Sequence, residues 1–179
     1  FKEMFGLAYR TDFDLKNHAK HSGADLEYFD QENNKKYIPH VVEPTFGLSR
    51  VTGVVMVDAY REEEVNGKKR IYMKFAPKIA PVKVAVFPLL ANKPEIVDKT
   101  RGLYKSLKQT INGAVEFDDR GNIGKRYLAQ DEIGTPWCIT VDFQTLEDDT
   151  VTVRHRDTTK QERLAIKNLA AYFQKGLAL

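Results

Sequence analysis

The rhythm of apolar and polar positions changes at Phe75-Ala76-Pro77-Lys78-Ile79-Ala80-Pro81. Two prolines four apart, each restricting the residue before it, predict a stiff extended crossing there. Beyond it, strand and helix patterns alternate. Val82–Leu90 is an unbroken apolar, β-branched run, as a central strand requires. Pro94–Thr110 repeats Ile96, Val97, Leu103, Tyr104 and Leu107 at helical spacing. Ala114–Phe117 predicts a short strand, Ile123–Ile133 a polar helix, and Trp137–Phe143 another strand. Thr150–Arg156 alternates like a half-solvated strand, and Glu147-Asp148-Asp149 before it reads as a tight turn, so these two strands should form a hairpin. Thr159–Leu177 reads as one long amphipathic helix with Leu164, Ile166, Leu169, Ala170 and Phe173 near one face. The order β-α-β-α-β-β-α predicts a three-layer α/β domain with a mixed sheet over residues 82–179, long enough to bury its own core.

Residues 1–76 differ. Gly6–Asp14 contains strand material, and Asp14–Ser22 a short helix or turn. Tyr37–Glu43 predicts a strand ending at Pro44, Leu48–Tyr60 a helix, and Ile71–Phe75 a short strand. The charge runs Arg61–Glu64 and Lys68–Arg70 around Asn66-Gly67 read as a solvated turn. This is too little apolar material for an independent core. Residues 1–76 are therefore expected to be the end of a larger antiparallel domain, with 77–81 as a proline linker.

Composition narrows the possibilities without naming one. Of 179 residues, 28 are Lys or Arg and 25 are Asp or Glu, a net charge of +3. That excludes a histone-like polycation but does not establish a nucleic-acid partner. No apolar run approaches the ~20 residues of a membrane span. A single cysteine, Cys138, excludes a disulfide framework and a cysteine-based zinc site, pointing to a reducing, cytoplasmic compartment. It reads as a small buried hydrophobe. His18 and His21 could share a helix face but lack further zinc ligands at suitable spacing, and His40 reads as structural. Asp119–Arg126 has the wrong glycine spacing for a P-loop, and no Ser or Thr follows Lys125, so it is read as a turn into a helix.

The segment Glu43-Pro44-Thr45-Phe46-Gly47-Leu48-Ser49-Arg50 carries more chemistry. A carboxylate at a strand end can hold an ammonium group. Gly47 admits close backbone approach. Arg50 in the first helical turn can join the helix amides in gripping phosphate. On spacing alone, an ordinary strand–turn–helix junction with a surface arginine explains the segment better. The segment nevertheless resembles motif 3 of class II aminoacyl-tRNA synthetases, in the form used by the dimeric glycyl-tRNA synthetases. Upstream, Glu3–Leu15 resembles that family's stretch Trp-Gly-Glu-Leu-x-Gly-Ile-Ala-x-Arg-x-Asp-Tyr-Asp-Leu. Downstream, Gly124–Tyr127, Gln130–Pro136 and Thr150–Thr158 resemble its C-terminal anticodon-binding domain. Similarity extends over nearly the whole chain, in order.

The resemblance implies the following roles. Glu3, Met4, Gly47, Leu48, Ser49 and Arg50 would contact ATP. Glu3, Glu43, Pro44, Thr45, Phe46 and Gly47 would line the glycine pocket, which must grip an ammonium and exclude side chains sterically. Arg126, Trp137, Arg154 and Arg156 are candidates for contact with unpaired anticodon bases, although each also reads as an ordinary surface arginine or core aromatic. The implied reaction joins glycine to tRNA(Gly) through glycyl-adenylate, with ATP and Mg2+ and no resident cofactor, catalysed by positioning and charge neutralisation. A homodimer is implied for the full enzyme. Thr45 stands where the family has Ser, and Phe1 and Lys2 where it has Trp and Gly. Nothing resembles motifs 1 and 2, and Phe1-Lys2-Glu3-Met4 fits neither a signal peptide nor a translation start. The chain is thus expected to be part of a longer protein and inactive alone. The alternative is a non-catalytic paralogue or isolated nucleic-acid-binding module. Synthetase families for threonine, proline or histidine fit these segments less well.

Overall fold

The computed structural model describes residues 3–65 and 67–178. The readings placed on Phe1, Lys2 and Asn66 lie outside them. The chain forms two compact units, residues 1–54 and 55–179.

In the first unit, β1 (Phe5–Thr11) and β4 (Val41–Phe46) form an antiparallel ribbon. Its register pairs Phe5 with Phe46, Gly6 with Thr45 and Ala8 with Glu43. Between them lie α1 (Phe13–Ser22) and a small hairpin of β2 (Tyr28–Asp30) and β3 (Lys35–Tyr37). Helix α1 stops at Gly23, which is left-handed at φ 71°. The strand expected over Tyr37–Glu43 is displaced. Residues 38–40 are irregular, and β4 runs through Pro44 to Phe46. A two-stranded ribbon has free edges, and there a missing N–H breaks no ladder bond. The helix α2 (Leu48–Ala59) follows Gly47 directly.

The second unit opens with a hairpin, β5 (Tyr60–Val65) and β6 (Lys68–Met73). The charge runs read as a turn are therefore strands, with Glu63 opposite Arg70 and Glu64 opposite Lys69. Opposite charges directly across an antiparallel pair favour pairing. Beyond the proline crossing come β7 (Val82–Pro88), α3 (Pro94–Thr110), β8 (Ala114–Phe117), α4 (Ile123–Ile133) and β9 (Trp137–Val141). Then follow α5 (Phe143–Asp148), β10 (Thr150–His155), β11 (Gln161–Ala165), a 3-10 turn at Ile166–Asn168 and α6 (Leu169–Ala178).

The strands assemble as a five-stranded mixed sheet in the order β11-β10-β9-β7-β8. Strand β7 is parallel to β8 and β9, whereas β10 is antiparallel to β9 and β11. Both faces are covered, so β7 is apolar on both from Val84 to Phe87. Val84 and Val86 meet Ile96, Leu103 and Leu107 of α3 and Leu169 and Phe173 of α6. Ala85, Phe87 and Cys138 meet Ile123 and Tyr127 of α4.

Two further expectations fail in this unit. Strands β9 and β10 do pair antiparallel, but α5 rather than a tight turn joins them. Asp142 accepts from the Thr145 amide while Thr145 Oγ1 accepts from the Asp142 amide, a capping box that starts the helix. Arg163 also grips both Asp142 oxygens, at 2.6 and 2.9 Å. That pairing first, together with the cap, holds the Asp142 carboxyl below its ordinary value despite partial burial. The long helix expected over Thr159–Leu177 is instead β11, the 3-10 turn and α6. Pairing with β10 fixes residues 161–165 as strand and sends Leu164 against the core, a long-range gain that overrides local helical spacing.

Candidate functional site

The β1–β4 register brings the segment around Glu43 beside the start of the described chain. Alternation along β4 puts Glu43 and Thr45 on one face, and Gly6 and Ala8 lie opposite them on β1. With Glu3, Met4, Gly47 and Arg50 they line an open cavity of about 350 Å³. Thr45 Oγ1 donates to Glu43 Oε1 at 2.8 Å, and Arg10 Nη1 stands 3.3 Å from Glu43 Oε2. Both Glu43 oxygens are thus oriented. Asp14 first and Glu43 after it hold the Arg10 guanidinium above its ordinary value.

Gly47 closes the ribbon onto the helix. Its amide donates to Met4 O at 3.0 Å, and its carbonyl accepts from Val51 N at 2.9 Å, placing it at the helix cap. A Cβ there would stand 3.1 Å from Met4 O. Arg50 Nη1 donates to Glu3 O at 2.5 Å, and Arg50 lines the cavity. No acidic residue occupies the first turn of α2. The cavity is therefore lined by the Glu3 and Glu43 carboxylates together with Arg50 and the start of α2. That donor set fits an ammonium beside a phosphate.

Six of the predicted residues line this cavity: Glu3, Met4, Glu43, Thr45, Gly47 and Arg50. Pro44 and Phe46 alternate to the other face of β4, and Leu48 and Ser49 are exposed at the start of α2. Phe5, Gly6, Leu7 and Ala8 join the lining without having been singled out. The signal that could have found them is the antiparallel register. Among the described residues no group of three or more His, Cys, Asp or Glu side chains could hold a metal ion. His18 and His21 are exposed on α1.

In the second unit, β7 and β8 are neighbours, but their helices go to opposite faces. The loops that follow these strands are residues 89–93 and 118–122. Arg126, 2% exposed, ties the end of β7 to the loop after β8. Its Nη1 donates to Pro88 O at 2.5 Å, Nε to Arg120 O at 3.0 Å and Nη2 to Gly121 O at 3.0 Å. Burial pushes its guanidinium below the ordinary value, against Asp118 and Asp119. Arg120, missed by the sequence reading, stands 88% exposed in the loop after β8 and is held by Asp118 at 2.9 Å. Burial would raise the Asp118 carboxyl, but the Arg120 hydrogen bonds outweigh it and hold the group down. Asn122 caps α4 by accepting from Lys125 N at 2.9 Å.

The other three candidates for base contact are also interior. Trp137 packs on Phe173 and His155, with ring centroids 5.4 and 6.4 Å apart. Arg154 binds fully buried Asp131 with both terminal nitrogens, at 2.8 and 2.9 Å. Arg70 Nε reaches the same carboxylate at 2.8 Å and also pairs with Glu63. Arg156 donates to Gly134 O, Phe75 O and Asp157 Oδ1 at 2.6–2.7 Å. Their donors are spent inside the unit. Cys138 is fully buried, and burial pushes its thiol far up, so it carries no thiolate chemistry.

An α/β unit whose five-stranded mixed sheet is covered on both faces defines a domain of the doubly wound kind. Residues 83–176, a little over half the chain, match the anticodon binding domain family, and the chain belongs to that family. It is 53% identical over 175 residues to a glycine–tRNA ligase of Cutibacterium acnes, covering 95% of this chain and 36% of that protein. It is 49% identical to a glycine–tRNA ligase of Streptomyces coelicolor over 98% of this chain and 38% of that one. A third relative, the glycine–tRNA ligase of Clostridium acetobutylicum, is 48% identical over 98% of this chain and 37% of its own length. The chain thus spans little more than a third of these curated relatives. No helix among the described residues is long and apolar enough to cross a membrane.

Proposed function

We propose that this chain is the C-terminal part of a cytoplasmic, homodimeric glycine–tRNA ligase, which forms glycyl-adenylate from glycine and ATP and transfers glycine to tRNA(Gly). The observation that carries the proposal is the single cavity joining Glu3, Glu43, Thr45, Gly47 and Arg50, within a segment about half identical to named glycine–tRNA ligases. Glu43, oriented by Thr45 and Arg10, takes the glycine ammonium, with Glu3 nearby. Thr45 and Gly47 line the glycine pocket, while Pro44 and Phe46, on the other face of β4, act on it through the strand, and exclusion of larger amino acids falls to the rest of the ligase. Met4 and Gly47 to Arg50 meet ATP, with Arg50 at the phosphates. Magnesium arrives with the nucleotide as a counter-ion.

The loop after β8, residues 118–122, meets unpaired anticodon bases. Arg120 is exposed for stacking or hydrogen bonding, and Arg126 acts through the loop it holds. Arg154, Arg156 and Trp137 set the shape of the same unit. Residues 1–54 bury none of the described side chains. The proposal has the rest of the ligase cover Phe5, Leu7, Tyr9, Val42 and Phe46, each at least half exposed. It also has that remainder supply motifs 1 and 2.

The test is glycine-dependent ATP–pyrophosphate exchange by the full-length protein. Exchange with glycine but not alanine is expected. Arg50→Ala should abolish it, and Thr45→Val should lower it more than Thr45→Ser, because only Val removes the hydroxyl that orients Glu43. A full-length protein that binds tRNA without glycine-dependent exchange would instead be a non-catalytic paralogue.

A further inference from the structure

Strand β1 is irregular where it leaves the cavity. Its register on β4 slips between Tyr9, opposite Val42, and Thr11, opposite Val41, so Arg10 is the extra residue of a bulge. Thr11 then takes left-handed backbone at φ 55°, a conformation that a β-branched residue adopts only when its surroundings impose it. Bent there, the chain enters α1 after the single residue Asp12 and returns Asp14 to Arg10. Bulges re-aim the side chains they carry. This one sets an arginine between Glu43 and Asp14.

The arginine is shared unequally. Asp14 takes one edge of the guanidinium, Oδ2 accepting from Nε at 2.5 Å and Oδ1 from Nη2 at 3.5 Å. Glu43 has a longer contact, Oε2 to Nη1 at 3.3 Å. The Arg10 hydrogen bond, first among the causes, holds the Asp14 carboxyl below its ordinary value, so Asp14 is an anion near neutral pH. Two carboxylates against one guanidinium leave a single negative charge, which one ammonium balances. Without the Asp14 charge, the planar fork would be free to turn onto Glu43 and pair with both its oxygens. An arriving ammonium would then compete with a cation already seated on its carboxylate. Neither Arg10 nor Asp14 lines the cavity, so both act through Glu43.

We propose that Asp14 is a positioning residue for the glycine ammonium: it keeps Arg10 drawn to its own side, so that Arg10 fixes the Glu43 carboxylate without neutralising it. The proposal rests on the reading of Glu43 as the ammonium site. Affinity for the amino acid is thus set partly from outside the cavity. Losing the Asp14 charge weakens glycine binding, and losing the Arg10 charge as well restores part of it, because the competing cation is gone. A residue that only held the fold would give the opposite order, since the second loss would add to the first.

The test is ATP–pyrophosphate exchange by the full-length protein, with the glycine KM, the ATP KM and kcat determined separately. The variants are Asp14→Asn, Asp14→Glu, and Asp14→Asn combined with Arg10→Gln. Asp12→Asn is the control, because it removes an anion two residues away that pairs with Lys16 instead. Asp14→Asn should raise the glycine KM about fivefold, as one partly solvated charge allows, and leave the ATP KM and kcat within about twofold. Asp14→Glu should restore most of the affinity. The double variant should fall between Asp14→Asn and the unsubstituted protein, which the control should match. An unchanged glycine KM in Asp14→Asn would overturn the proposal. So would a double variant weaker than Asp14→Asn, or a loss spread over kcat, the ATP KM and the thermal midpoint alike. Absence of glycine-dependent exchange in the unsubstituted protein would overturn the reading of Glu43 instead.

Discussion

Residues 1–54 assemble a cavity from eight or so side chains yet fully bury none of their described residues, whereas residues 55–179 bury both faces of a sheet and an ionic cluster besides. In the first unit, geometry comes from backbone register: a two-stranded ribbon, one glycine cap and one arginine bond. In the second, geometry comes from packing. Function can be placed on either kind of scaffold, but only the second supplies the free energy to hold itself together.

The sharpest way to break this contrast is to separate the units. Residues 55–179 alone should unfold in one cooperative urea transition, whereas residues 1–54 alone should give none. A cooperative transition from the shorter piece would mean that its exposed Phe5, Leu7 and Phe46 find one another without the rest of the protein. A smaller effect probes what the second unit buries. Asp131→Asn leaves Arg154 and Arg70 without their shared charge and should cost about 3–5 kcal/mol, since a broken buried pair leaves an uncompensated ion. A loss below about 1 kcal/mol in the same urea titration would show that packing alone holds the cluster.

The smallest effect is at Asp142. Asn keeps the cap on α5 but loses the charge toward Arg163, while Ala loses both, about 1 kcal/mol for the cap alone. The folded Asp142 carboxyl is held low, so its contribution is complete above the unfolded value of about 3.9 and fades as pH falls through the lower folded value. The deficit of Asp142→Asn should therefore be constant between pH 5 and 7 and shrink on acidification. A deficit that grew toward acid would refute the pairing.

The sequence was most legible where local pattern and burial agree. The bounds of α3, β8 and α4 agree with those their spacing predicts. It was least legible where distant partners decide. Leu164 fits a helix stripe as well as a sheet face, and only pairing with β10 chooses. Arg154 and Arg156 alternate with Val151 and Val153 as solvent-facing residues would. They are buried because α4, the β6 hairpin strand and the chain near Phe75 cover them, and local alternation carries no trace of that. Asp142 was a different kind of miss, since its capping partner three residues on was present in the sequence. In the cavity, Glu43, Gly47 and Arg50 stood out by residue type. Gly6 and Ala8 needed the register, which two isolated strands do not specify.

The family match begins at residue 83, but the fold does not. Asp131 draws one of its two arginines from Arg70, Arg156 spends a donor on Phe75 O, and a Cβ at Gly134 would stand 2.8 Å from Met73 O. Gly134 is also left-handed, at φ 86°. In terms of modular inheritance, the hairpin before residue 83 and the domain after it are one cassette. Transplanted from residue 83 onward, the domain would carry a buried arginine without its carbonyl and a buried carboxylate one cation short. A recombination point that preserves the fold lies upstream of Tyr60.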